Sequence, residues 1–235
     1  MKRLLLLISA VSLTLGPAPA AGARVVELGA VPNNNAVPSC PADPCEAAVR
    51  VTALQGRIAG GRKNPYYIRR DGYIVAFTVQ LSKPSDEQIA FFNDNFGSPP
   101  QVRLSVLRRG DTRKTRLNYR LISQSDVYDV DRYLGSSPTF VLDQPLRVKK
   151  TNWIAITVPM WAPIFSNNLT NSDWWRSSRA KDNCEPPRSL DQFALQELRN
   201  VSVFGCTYHK ARLLYTATYV PDPQPTVETD EDEPN

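Results

Sequence analysis

The chain is poor in histidine and lacks the signatures of several common enzymes. A single His among 235 residues, His209, excludes a metal site with several imidazole ligands and leaves any Ser-His-Asp or Cys-His centre dependent on that residue. The sequence also lacks a G-x-S-x-G nucleophile elbow, a P-loop and a G-x-G-x-x-G loop. We therefore expect neither a cofactor nor a metal, and the commonest hydrolase and nucleotide-binding classes are disfavoured.

Long apolar runs are absent apart from one near the N-terminus. Two basic residues precede an uncharged apolar run at 4–15, which is shorter than the ~20 residues that span a bilayer. Small residues follow at 21–23, with an alternative cleavage site at 18–20. This order predicts a secretory signal peptide over residues 1–23, and hence a secreted or extracytoplasmic protein without a transmembrane segment.

Acidic residues are sparse in the body of the chain and concentrated in its C-terminal tail. Without residues 1–23 the chain has 26 basic and 23 acidic residues, and six of the acids fall in the tail. The six are Asp222, Glu228, Asp230, Glu231, Asp232 and Glu233. The remaining body has a net charge of +9, which favours anionic polymers such as teichoic or uronic polysaccharides. The body's bases are scattered, however, as at Arg103, Arg108, Arg113 and Arg147, and this favours the interpretation that the tail only offsets the charge of the body.

Only four cysteines are present, and in an exported protein an even number indicates disulfides. Three pairings are possible, and proximity in sequence favours Cys40–Cys45 and Cys184–Cys206. The second pair would close a loop of about twenty residues, worth on the order of 3 kcal/mol in the chain-entropy model. A zinc site is the alternative, but the first pair has no second Cys or His pair to complete it.

Strand-like segments recur at spacings of about ten residues, and 20 Pro against 11 Gly argue further against a helical bundle. We predict an all-β fold, an antiparallel β-sandwich of jelly-roll-like type, over residues 48–220. Residues 24–47 are predicted as an irregular arm tied by the first disulfide, and 221–235 as a disordered acidic tail. The Trp-rich stretch from Pro159 to Arg188 is predicted to be loop.

One short helix is predicted inside the sandwich, near residues 85–96. Ser85 has the character of an N-cap, Gln88 is its capping-box partner, and Gly97 ends the helix. Residues 189–200 form either a second helix or a strand, and their apolar spacing favours the helix.

The segment from Asp71 to Met160 resembles secreted, mostly actinobacterial β-sandwich proteins that lack an assigned function. The likeness lies in the sequences at 71–77, 102–108 and 119–125, and in the strand, basic turn and strand at 140–156. A Gly-Asp common in that turn is here Thr151-Asn152. The resemblance implies the sandwich fold and no catalytic residue.

A set of aromatic and polar residues in the Trp-rich stretch is the candidate ligand site. Sugar rings stack on flat aromatic faces while polar groups bind their hydroxyls. Trp161, Trp174 and Trp175 supply such faces, and Asn168 and Asp173 supply hydrogen bonds. The alternative is that the rings pack beneath a long loop.

These observations predict a secreted, monomeric, non-catalytic binding or structural module at the cell envelope, one that binds polysaccharide through its aromatic residues. A second hypothesis is an extracellular hydrolase of glycans or esters. Its candidate carboxylates are the closely spaced Asp126, Asp129 and Asp131. A third is an electrostatic binder of anionic wall polymers. No specific nucleic-acid partner is expected.

Overall fold

The computed structural model describes residues 24–31, 36–61, 63–185 and 194–224. Fourteen strands and one α-helix follow one another along this part of the chain. In chain order they are β1 (Val26–Leu28), β2 (Ala48–Arg57), β3 (Gly72–Val79), α1 (Asp86–Phe96), β4 (Gln101–Arg109), β5 (Asn118–Gln124), β6 (Tyr128–Asp129), β7 (Thr139–Val148), β8 (Asn152–Ala162), β9 (Phe165–Ser166), β10 (Trp174–Ser177), β11 (Val201–Val203), β12 (Cys206–His209), β13 (Arg212–Leu213) and β14 (Tyr215–Pro221). The predicted signal peptide and most of the predicted tail lie outside the described residues.

The strands form two main sheets, and every pair of neighbouring strands is antiparallel. The smaller sheet has the order β1-β14-β3-β7. The larger sheet curls like half a barrel and has the order β11-β5-β4-β8-β2-β10-β12, with β6 also pairing β4. Strands β9 and β13 form a separate ribbon. This confirms the predicted all-β, sandwich-like fold.

The main core lies between the two sheets. Strand β7 shows the alternation expected of a half-buried strand, with Phe140 and Leu142 buried while Val141 between them is 72% exposed. Strand β8 is buried on both faces for most of its length, because a second apolar cluster covers the outer face of the larger sheet. That cluster comprises Leu54, Leu107, Tyr119, Leu121, Trp153, Ala155 and Phe204.

Helix α1 has the predicted start and end. The Ser85 hydroxyl accepts from the Gln88 N–H at 3.3 Å, and the Gln88 side chain accepts from the Ser85 N–H at 2.9 Å. Gly97 follows the helix with φ of 90°, a backbone conformation that favours glycine. The helix buries Phe92 and Phe96, so its apolar face packs on the end of β8 rather than on the main core.

Both predicted disulfides are present, Cys40–Cys45 and Cys184–Cys206. Three predictions about local structure need correction or restriction. The arm at 24–47 is not wholly irregular, because β1 pairs with β14 and extends the smaller sheet. The Trp-rich stretch contains β9 and β10 rather than loop alone.

The third restriction concerns the predicted helix at 189–200, of which residues 189–193 lie outside the described part. Residues 194–200 form no helix. Ala194 bridges Val51 in parallel, and a turn follows at 198–199. Tertiary pairing with β2 overrides the apolar spacing there. No helix in the described residues is long and apolar enough to cross a membrane.

Candidate functional site

Three segments that are distant in sequence meet at one end of the sandwich. Arg108 near the end of β4 pairs with Asn152 at the start of β8. The Asn152 carbonyl accepts from the Ile68 N–H at 2.9 Å, and the Ile68 carbonyl accepts from the Thr151 N–H at 2.9 Å. The loops at 57–71, 108–120 and 147–152 therefore form a continuous surface, which we name the basic end.

The basic end gathers cations and contains few acids. Among its described residues, the first loop has four basic residues, the second six and the third three. They are Arg57, Lys63, Arg69, Arg70, Arg108, Arg109, Arg113, Lys114, Arg116, Arg120, Arg147, Lys149 and Lys150. Asp71 and Asp111 are the only acids in the described parts of the three loops, and all the basic residues except Arg70 and Arg109 are exposed. These bases are scattered in the sequence, and the strand register brings them together.

The opposite end of the strands has the opposite charge. It comprises the segments 43–50, 83–94 and 129–132, which meet where β2, β4 and β6 begin or end. We name this surface the acidic end. Its seven acids outnumber its three bases, Arg50, Lys83 and Arg132. The acids are Asp43, Glu46, Asp86, Glu87, Asp94, Asp129 and Asp131.

A groove of about 750 Å³ opens at the basic end, between the end of β5 and the turn that joins β7 to β8. Arg108, Lys149 and Lys150 line it together with the amides Gln124 and Asn152. Asn152 also builds the turn, because its side-chain oxygen accepts from the Lys149 N–H at 2.8 Å. The turn thus presents two exposed ammonium groups beside polar side chains that can accept or donate hydrogen bonds to a ligand.

A second groove of about 1010 Å³ lies across the same end, between β1 and the loop that follows β2. Arg24, Arg69 and Arg70 line it with the ring of Tyr67, and Gln224 lies at its edge. The basic end therefore has two grooves in which cations outnumber acids, four to two in the first and three to one in the second, the acids being Asp126, Asp143 and Glu27.

Arg147 is the most constrained cation at this end. Its guanidinium donates two hydrogen bonds of 2.8 Å to the two carboxylate oxygens of Asp222, and its Nη2 lies 3.7 Å from the Asp71 carboxylate. The guanidinium also lies 4.8 Å from the centre of the Tyr73 ring. The hydrogen bonds to Asp222 raise the pKa of Arg147, and the same bonds lower the pKa of Asp222. Arg147 is thus held by carboxylates of its own chain.

We expect the Asp222 carboxyl to titrate below its ordinary pKa of 3.8, because Arg147 stabilises the ionised form. A lowered pKa means that the pair contributes stability above about pH 3.8 and loses it as the pH falls through the lower folded value. Carboxyl NMR on the folded protein measures this directly. In Arg147→Gln the pKa should rise towards 3.8, and an unchanged pKa would show that the pair does not form.

The predicted aromatic ligand site is largely inside the protein. Trp161 is fully buried at the end of β8, where its ring stacks on Phe92 at 4.8 Å between ring centres and its Nε1 donates to Asn93 at 3.0 Å. Trp175 on β10 is 7% exposed and stacks on Tyr208 at 4.3 Å. Neither ring offers a face to a ligand, so these two residues are structural.

Trp174 is the exception, because it remains partly exposed on β10. Its ring lies directly over Gly56, where a Cβ would come within 1.9 Å of it. The Arg176 guanidinium lies 5.4 Å from the centre of the same ring. Gly56 and Arg176 therefore both contact the Trp174 ring, and a sugar stacked on the face beneath the guanidinium would have to displace Arg176.

The two polar residues predicted beside the tryptophans do not share one surface. Asp173 is 1% exposed, and its carboxylate accepts from Arg212 at 2.8 and 3.1 Å and from the Ala59 N–H at 3.0 Å. This is a buried ion pair rather than a sugar ligand. Asn168 is exposed in the loop before β10, with φ of 58°. The structure thus separates the five predicted ligand residues into core, strand and loop.

Paired carboxylates, which a glycan hydrolase would need, are weakly represented. Asp126 and Asp143 both line the first groove together with Tyr128, whose pKa is raised by burial and by these two charges. Both carboxylates are exposed, whereas a catalytic acid is usually buried against apolar groups. The described residues contain no group of three or more Asp, Glu, His or Cys side chains that could hold a metal ion.

Comparisons of the chain with protein-family models, with curated proteins and with solved structures find no match. The resemblance to secreted actinobacterial sandwich proteins therefore remains a prediction.

Proposed function

We propose that the protein is a secreted, non-catalytic module that binds an anionic polymer of the cell envelope through its basic end. The single observation that carries this proposal is the concentration of thirteen cations against two acids in the described parts of three adjoining loops. Two disulfides support an oxidising, extracytoplasmic location.

The shape of the basic end favours a polymer over a small anion. Its exposed cations are spread over the tips of three loops and into two grooves rather than converging on one point. An electrostatic field of this kind attracts an extended chain of negative charges, and each charge pair along the chain adds a small amount to the free energy of binding. Arginines dominate the set, and the guanidinium group pairs with both carboxylate and phosphate in a two-pronged geometry.

Binding through stacked aromatics is the weaker reading, because Trp161 and Trp175 are buried and Trp174 is flanked by Gly56 and Arg176. Hydrolysis is weaker too, because the carboxylates in the first groove are exposed. Binding of an anionic polymer through surface charge requires neither an exposed aromatic strip nor a protonated acid.

The test compares three double variants that each remove two positive charges. Lys149→Ser/Lys150→Ser and Arg113→Ser/Lys114→Ser act at the basic end, and Lys83→Ser/Arg132→Ser is the matched control at the acidic end. Since a Lys or Arg near an anionic surface contributes roughly 1 kcal/mol, we expect the loss of two such charges in each basic-end variant to weaken binding by about thirtyfold at low salt. Polygalacturonate and inorganic polyphosphate serve as carboxylate and phosphate probes, and dextran as the neutral one.

The control variant should bind within about twofold of the parent, and dextran should not bind. Binding should weaken steeply with salt, and less steeply in the two basic-end variants. Equal losses in all three variants would mean that only net charge matters. Binding to dextran that survives high salt and is lost in Trp174→Ala would contradict the electrostatic hypothesis and indicate that a sugar stacks on an aromatic ring.

A further inference from the structure

The acidic C-terminal segment leaves the fold at the basic end. Strand β14 ends at Pro221, and Asp222 follows with both carboxylate oxygens on Arg147 at 2.8 Å. The Asp222 N–H also donates to the Asp71 carbonyl at 2.8 Å, which fixes the direction of the chain at this point. The Asp222 carboxylate, the first acid after β14, thus already neutralises a cation of the basic end.

The next described residues continue along the same surface. Gln224, the last of them, lies at the edge of the second groove, which is lined by Arg24, Arg69 and Arg70. Residues 225–235 follow in the sequence and contain five acids and no Lys or Arg. The five are Glu228, Asp230, Glu231, Asp232 and Glu233.

We propose that the segment 225–235 occupies the basic end and competes there with the anionic polymer. This inference rests on the proposed function of that surface. The segment's eleven residues can extend at most ~36 Å from Gln224, enough to reach across neighbouring loop tips. Attachment to the same chain gives its carboxylates an effective concentration on the order of millimolar at the basic end, so weak individual contacts suffice.

The segment acts as an internal competitor that sets a threshold for binding. A long polymer with many charges displaces it, while a short or sparsely charged one does not. Apparent affinity falls by the fraction of molecules in which the surface is free, so a segment bound in nine molecules of ten lowers affinity about tenfold.

The first experiment neutralises the segment in the full chain, with Glu228→Gln, Asp230→Asn, Glu231→Gln, Asp232→Asn and Glu233→Gln together. The matched control neutralises five exposed acids of the acidic end, with Asp43→Asn, Glu46→Gln, Asp94→Asn, Asp129→Asn and Asp131→Asn. Both variants change net charge by the same amount. We expect the first to bind inorganic polyphosphate about five- to tenfold more tightly at low salt, and the control to change by less than about twofold.

The second experiment needs no polymer, so it separates this inference from the proposed function. Carbodiimide cross-linking joins carboxylates to nearby lysine amines, and mass spectrometry identifies the pairs. We expect links from the segment to Lys149, Lys150, Lys114 or Lys63 at low salt, and their loss in high salt. Links mainly to Lys83, or no links to lysines of the basic end, would contradict the proposal that the segment occupies this surface.

The outcomes are distinct for the two claims. If the basic-end variants bind polyphosphate as the parent does, the proposed function fails whatever the cross-links show. If those variants lose binding but segment and control variants behave alike, the function stands and the internal competitor is wrong.

Discussion

Replacing Asp173 by alanine is expected to lower the free energy of unfolding by about 3–5 kcal/mol, since it removes the carboxylate that binds two nitrogens of a buried guanidinium. Arg212 is 7% exposed and donates to Asp173 from both Nε and Nη2. The same carboxylate accepts from the Ala59 N–H and from the Thr170 hydroxyl, so the substitution also removes the acceptor of two neutral donors. The pair connects the start of β10, the loop after β2 and strand β13.

Denaturant unfolding followed by tryptophan fluorescence measures this effect. Asp182→Ala, at an exposed aspartate, is the matched control and should change stability by less than about 0.5 kcal/mol. Asp173→Ala/Arg212→Met should recover part of the loss, because an apolar side chain at residue 212 avoids burying a positive charge without the Asp173 carboxylate. A loss below about 1 kcal/mol in Asp173→Ala would show that water reaches the pair in solution.

Trp161→Ala is expected to be similarly costly, at about 3–5 kcal/mol, because it empties a large volume in a closed cluster. The ring has no exposed surface and lies against Phe92 of α1. The helix packs on the sheet at the end of β8, where Trp161 shares a small apolar cluster with Val49 and Met160, so loss of the ring removes a large part of this contact. Local loosening of the helix should accompany the loss of stability.

Trp161→Phe and Trp174→Ala are the matched comparisons. The first keeps most of the packing and loses the hydrogen bond to Asn93, which is worth about 1 kcal/mol. The second removes a partly exposed ring and should cost less than Trp161→Ala. Hydrogen exchange on the α1 amides should increase most in Trp161→Ala. If Trp174→Ala were the more damaging change, β10 rather than the helix would be the element most dependent on its tryptophan.

Features fixed by nearby residues could be predicted from the sequence. The start of α1 needs only Ser85 and Gln88, three residues apart, and both hydrogen bonds of the capping box are present. The disulfides follow proximity in sequence, and alternating side chains locate most strands. In each case the deciding interaction spans few residues, so a local pattern contains it.

The candidate site could not be predicted in the same way. Arg108, Lys149 and Arg69 are far apart in sequence and become neighbours only through the pairing of β4 with β8 and the packing of the loop after β2 on β8. The burial of Trp161 depends on α1 folding back over the larger sheet. A strand pattern predicts which residues share a face, but not which face a second layer of structure will cover.

Among the described residues, charge is separated along the strands, and this separation gives that part of the molecule an electric dipole between the acidic and basic ends. Near a negatively charged surface this dipole orients the protein before contact, with the tips of the three loops inward and α1 outward. The outward side then presents the exposed Phe91 of α1 and the loop closed by Cys40 and Cys45. Bound molecules would form a layer of uniform polarity, in which any further partner meets the helical side first.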